Sequence, residues 1–150
     1  MLTELNREEI EMVLKKNYLG RIGYTDGLEI YIVPVNYRFE NNSIICYSLE
    51  GQKVDMMRRH HEVCFQVDEI TDTEHWKCVL INGTFEEITD ERILSELRPR
   101  YHEYRLRKKA DLLSSKQGPE QTGEKQKSES PQIFFKINIR QASGRLEEGF

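Results

Sequence analysis

Three cysteines in 150 residues, Cys46, Cys64 and Cys78, are too few and too scattered for a disulfide framework, and each lies inside an apolar, strand-like run. They read as small buried hydrophobes of a reducing compartment. None has a neighbouring base in sequence or a helix start that would lower its thiol pKa, so no cysteine nucleophile is expected. Excess positive charge is missing too. With 22 Lys+Arg against 26 Asp+Glu the chain is mildly acidic and lacks the electrostatic footprint of nonspecific DNA or RNA binding, so no nucleic-acid partner is expected. No apolar run approaches membrane-spanning length, and the opening MLTELNREEIEMVLKK is charged and helix-patterned, unlike the apolar core of a signal peptide. These absences predict a cytoplasmic protein without membrane association. The sequons Asn41-Asn42-Ser43 and Asn82-Gly83-Thr84 carry no glycosylation in that setting.

Several catalytic patterns are also missing. Gly51-Gln52-Lys53 is no Walker loop, because the second glycine and the Lys-Ser/Thr pair of GxxxxGK[ST] are not there. His60, His61 and His75 form neither HxxxH helical spacing nor a Cys/His zinc pattern, so no metal site is expected. No Ser-His-Asp or Cys-His set can be assembled. The acidic residues Asp68, Glu69, Asp72 and Glu74 read as a solvated loop before Trp76 rather than as an acid/base pair.

What is present fits one domain with a core of its own. Asn6 followed three residues later by Glu9 resembles a capping box, which predicts a helix from about Arg7 to Tyr18 with Ile10, Val13 and Leu14 on its buried face. Thr25-Asp26-Gly27 is a turn signal between strands at Arg21 to Tyr24 and Glu29 to Arg38. Pro34 lies inside the second of these. It cannot donate to a ladder, so it marks an edge, a bulge or an opening where a ligand could lie. Further strands are expected at Ser43 to Leu49, Glu62 to Val67, Lys77 to Ile88 with an interruption at Asn82-Gly83, and Ile133 to Ile139. Helices are expected from about Gln52 to Arg59 and over Asp90 to Lys109. Residues 114–131, SSKQGPEQTGEKQKSESP, contain no apolar side chain and read as a mobile loop. The whole predicts a small antiparallel barrel.

The segment from Ser43 to Asp68 carries the chemistry. A strand, a polar turn and a helix place Ser48 and Lys53 beside backbone N–H groups at the mouth of a β-structure, where a phosphate could be held. Lys53 either pairs with that anion or is simply solvated. Tyr47 and Ser48 reach the same anion or represent ordinary polarity at a strand end. Arg58 and Arg59 contact a phosphate or form salt bridges, and Trp76 is core or lines a planar ligand.

In order along the chain, GRIGY, IVPVNY, ICYSLEGQK, MMRR with VCFQVD, WKCVLINGTFEEI and IFFKINIRQASGRLEE resemble the pyridoxamine 5'-phosphate oxidase-like flavoproteins, in particular the small branch containing nitroimidazole-resistance proteins. The likeness runs from Gly20 to Glu147. It implies a mainly β fold, a six-stranded antiparallel Greek-key split β-barrel with flanking helices, forming a homodimer with FMN at the subunit interface. It implies ring contacts at Val35 and Asn36 with Pro34 just before them, and phosphate-side contacts at Tyr47, Ser48, Gln52 and Lys53. Cys78 matches a polar residue facing the flavin, and Arg58 a recurrent basic residue after the phosphate turn. The activity implied is a flavin-dependent oxidoreductase passing electrons from NAD(P)H to a nitroaromatic or quinone. A non-catalytic flavin-binding module, or a haem-handling barrel, is the alternative. Many relatives have histidine at the position of Tyr47 and serine or glutamine at that of Cys78, which separates the cofactor from any activity needing that histidine.

Overall fold

The computed structural model describes residues 1–101 and 131–149. Its elements in chain order are β1 (Leu2–Glu4), α1 (Arg7–Lys16), β2 (Leu19–Thr25), β3 (Ile30–Glu40), β4 (Ser43–Leu49), α2 (Gln52–Arg59), β5 (Glu62–Asp72), β6 (His75–Glu87), the helical residues 91–101, called α3, and β7 (Gln132–Glu147). The expected loop 114–131 lies outside the described residues except for Pro131, as does the stretch of the expected third helix beyond Tyr101.

Local chemistry explains the joints. Asn6 Oδ1 accepts from the Glu9 N–H at 2.8 Å and Glu9 Oε1 accepts from the Asn6 N–H at 2.8 Å, the reciprocal capping box that starts α1. Between β3 and β4, Asn41 and Asn42 both take left-handed backbone, with φ of 49° and 60°, as a two-residue type I′ turn requires. Asparagine tolerates that region better than other non-glycine residues. At the other hairpin Asp26 Oδ1 accepts from the N–H groups of Leu28 and Glu29, closing the loop between β2 and β3.

The strands run β1-β7-β4-β3-β2-β5-β6, and β6 pairs again with β7, so six of them close a ring to which β1 is appended along β7. Every pairing is antiparallel. β2, β3 and β4 follow one another as hairpins, and β5 returns through α2 to lie beside β2, a Greek key. The barrel is therefore built as the resemblance implies, with β1 as an addition. Several strands run beyond the bounds that the sequence pattern indicates: β2 starts at Leu19, β3 continues to Glu40, β5 continues to Asp72, β6 begins at His75 and β7 continues to Glu147. Asp68 and Glu69 accordingly lie within a strand and not in a loop. The interruption expected at Asn82-Gly83 is a register shift in the β6–β7 ladder, where a Cβ on Gly83 would stand 2.2 Å from the Asn138 carbonyl oxygen.

Inward side chains fill the ring. Ile22, Tyr37, Ile44, Cys46, Phe65, Val67, Val79, Ile81, Phe135 and Ile137 are almost fully buried, joined by Leu14 of α1 and by Val54 and Met57 of α2. Each such aliphatic or aromatic side chain contributes about 1.5–3 kcal/mol by leaving water. Tyr37 packs edge-on against Phe65 and donates its hydroxyl to the Leu14 carbonyl at 2.8 Å, which ties α1 to the barrel. A second apolar cluster lies on the outer side of β4 and β7, where Ile45, Tyr47 and Phe134 are covered by Leu94, Leu97 and Tyr101 of α3.

Candidate ligand site at the split between β3 and β4

The β3–β4 ladder begins at Asn36 opposite Tyr47 and ends at Glu40 opposite Ser43. Residues 30–35 of β3 continue along β2 alone. β4 diverges after Tyr47 and turns through Glu50 and Gly51 into α2. The barrel is split here, and Pro34 sits on the β3 edge that β4 has left. This is the opening that a proline inside a strand suggested, because the residue without an N–H occurs where one neighbour has stopped pairing.

Register brings most of the predicted residues to this opening. Pro34, Val35 and Asn36 form its β3 side, Tyr47 and Ser48 its β4 side, and Gln52 and Lys53 the first turn of α2. The side chains do not all face it. Val35 is buried in the barrel core, so only its backbone borders the opening. Tyr47 is 5% exposed and packs between Phe134 and Tyr101 beneath α3, because outward residues of β4 belong to the second cluster. Cys46 and Ser48 share the inward face of β4 by strand alternation, and the Ser48 hydroxyl donates to the Leu49 carbonyl at 3.3 Å. Lys53 follows in the first turn of α2 and is half-buried.

The electrostatics of the turn are distinctive. Burial lowers the Lys53 pKa below that of an ordinary lysine, and among the described residues no carboxylate lies within ion-pair distance of it. Gly51, the N-cap of α2, provides no side-chain hydrogen bond, so the first N–H groups of the helix keep their unfilled donors. A partly desolvated ammonium beside an uncapped helix start is suited to an anion.

Arg58 behaves differently. Its Nε donates to Glu87 Oε1 at 2.8 Å and its Nη1 to Glu50 Oε2 and Asp55 Oδ1, both at 3.0 Å. Glu87 first and Glu50 second raise its pKa above the usual arginine range. Its charge is matched inside the protein by ion pairs, as the salt-bridge reading expects. Trp76 and Cys78 lie on β6, separated from β3 by β5 and β2. Trp76 is half-buried at the strand start opposite Ile70 and is not a core tryptophan. The Cys78 Sγ lies 3.1 Å from the Gln66 amide nitrogen on the outer face of the sheet. Within the single chain these two residues are not part of the opening.

The sequence did not flag the outer face of β3, β2, β5 and β6. Leu19, Ile30, Ile32, Ile70 and Leu80 all lie on it and are exposed, Ile30 by 78% and Ile32 by 68%. The alternation of Ile30 and Ile32 with Tyr31 and Val33 was visible, but both faces of that segment are apolar and the pattern alone does not say which is inside.

A family model described as pyridoxamine 5'-phosphate oxidase matches residues 6–146 of this sequence. The chain belongs to this family. An uncharacterized protein of Rhizobium meliloti (strain 1021) is 28% identical over 141 residues, spanning 94% of this chain and 92% of the relative. The crystal structure of an FAD-binding protein from Mesorhizobium loti superposes with a TM-score of 0.73 at 29% identity, covering 97% of this chain and 96% of that one. An FAD-binding protein from Mycobacterium smegmatis shares the fold, with a TM-score of 0.67 at 23% identity over 97% of this chain and 98% of its own. In this family setting the ring of strands is a split barrel of the flavin-binding type, with the split between β3 and β4. Among the described residues no helix is long and apolar enough to cross a membrane.

Proposed function

We propose that the protein binds FMN at the β3–β4 split and acts as a flavin-dependent oxidoreductase. The observation that carries this reading is the half-buried Lys53 ammonium, without a carboxylate partner among the described residues, beside the uncapped start of α2. Lys53 neutralises a terminal phosphate, Ser48 and Gln52 offer hydrogen bonds beside it, and the β3 backbone at 34–36 lies along the ring. The FAD-binding relative from Mesorhizobium loti supports a flavin. Lys53 supports the mononucleotide, since Arg58 is matched by carboxylates and a pyrophosphate would bring further charge to the first turn of α2, whose cation is Lys53.

A bound flavin supplies hydride and single-electron chemistry, while the protein contributes binding, orientation and electrostatics. The reductant is of the nicotinamide class and the acceptor a small nitroaromatic or quinone. The exposed aliphatic face around Ile30 and Ile32 supports a homodimer, because water contact over several large aliphatic side chains is costly. A second copy would also bring Trp76 and Cys78 of one subunit toward the split of the other.

Flavin absorbance of the purified protein and release of FMN on denaturation test the cofactor. A colourless protein that quenches no FMN fluorescence on titration overturns it. Anaerobic bleaching of the bound flavin by NADH or NADPH, then reoxidation by a nitroimidazole or quinone, tests the reaction. No bleaching with either nucleotide leaves a flavin-holding protein in place of a reductase.

A further inference from the structure

We propose that Arg58 is a positioning residue that holds the anion-binding turn in shape without touching the anion. The inference rests on the phosphate reading of Lys53. Three carboxylates from three parts of the fold converge on its guanidinium: Glu50 from the turn that leads into α2, Asp55 from the helix, and Glu87 from the end of β6. Side chains of a helix lean toward its N-terminus, and Arg58 in the last turn of α2 lies back over Asp55 to reach Glu50, which precedes the helix start. Glu87 then anchors this assembly to the barrel wall. Lys53, Gln52 and the uncapped N–H groups therefore belong to a turn fixed at one end by the buried Val54 and Met57 and at the other by this clamp.

Each ion pair is partly exposed and individually weak. Their joint effect is on geometry, since a loosened turn moves the donors relative to one another and to the split. Glu50 adds to the strain of any rearrangement. Among the described residues its Oε1 is buried without a hydrogen-bond partner, so its Oε2 contact with Arg58 is the one that satisfies the carboxylate.

The test compares FMN with riboflavin, which lacks the phosphate, by fluorescence quenching of the full chain. Glu87→Gln, a change on β6 away from the split, should lower the preference for FMN over riboflavin by about three- to tenfold while riboflavin affinity holds. Glu50→Gln should do the same from the other end of the clamp, and either variant alone suffices if the other does not fold. If Glu87→Gln keeps or increases the FMN preference, a released guanidinium can reach the phosphate itself and the positioning role is wrong. A parallel loss of both ligands, with a lowered melting temperature, assigns the clamp to stability alone and also overturns it. A wild-type protein that binds both ligands equally removes the phosphate reading of Lys53 instead.

Discussion

Lys53 and Arg58 are five positions apart and carry the same charge, yet they play opposite parts. Among the described residues one is half-buried without a carboxylate in ion-pair distance, and the other is held by three. Replacing Lys53 with alanine removes one charge-assisted contact, so FMN affinity should fall by about 1.5 to 3 kcal/mol, roughly ten- to a hundredfold, with riboflavin binding little changed. Equal FMN affinity in the variant, by fluorescence titration, would put the phosphate elsewhere. The pH dependence has a definite sign. The anion pairs with the protonated amine, and burial lowers the Lys53 pKa, so FMN binding is intact well below that pKa and weakens as pH rises through it. The weakening should begin below the ordinary lysine value of 10.5. Riboflavin affinity, measured over the same range, should not share this step. Cys46 is fully buried, and burial pushes its thiol pKa far up, so it should resist alkylation until the barrel unfolds. Peptide mapping after labelling with and without denaturant checks this, and modification of Cys46 in the native protein would contradict the buried geometry.

At the level of elements, β4 and α2 occupy the bounds that their sequence indicates, Ser43–Leu49 and Gln52–Arg59. Their signals are local: an Asn41-Asn42 turn, an apolar run, a glycine before a helical pattern. β1 and the far half of β7 had no such signal. LTE is too short to show a period, and RQASGRLEE is polar, with most of its side chains exposed. These residues are strands because β7 pairs with β6 along almost its whole length and offers its other edge to β1. The β2–β5 contact shows the same dependence on a distant partner. A Cβ on Gly20 would stand 2.5 Å from the Phe65 ring and 2.8 Å from the Gln66 carbonyl oxygen. Gly20→Ala should therefore destabilise the fold by about 1–3 kcal/mol through overpacking, read as a lower midpoint in denaturant unfolding. An unchanged midpoint would mean that β2 and β5 separate at little cost.

At the scale of the whole molecule, the exposed aliphatic face and the split meet on β3, where Ile30 and Ile32 precede Pro34. If that face joins two copies, Ile32→Glu should convert a dimer to a monomer in sedimentation velocity and weaken FMN binding with it, because part of each site would come from the partner. A variant that stays dimeric would move the interface to another surface. Trp76 and Cys78 are informative here. The link of Cys78 to the flavin came from a family resemblance and that of Trp76 from an aromatic side chain at a strand start, and in one chain they lie on β6, across β2 and β5 from the split. Sequence order alone cannot distinguish a contact within a chain from one across an interface.

The sequence by itself determined the local pieces: the capped first helix, the two hairpin turns, the strand–turn–helix that carries Ser48 and Lys53, and the family to which their order belongs. These follow from hydrogen bonds and periodicities that act within a few residues. Tertiary structure alone decided which of two like charges is free. Glu50 and Glu87 are brought to Arg58 from separate elements, while burial in the folded protein lowers the Lys53 pKa. It also turned Val35 into the core and Tyr47 under α3, leaving their backbones at the opening. Charge pairing and burial depend on distances between residues far apart in the chain, and only the closed barrel sets those distances.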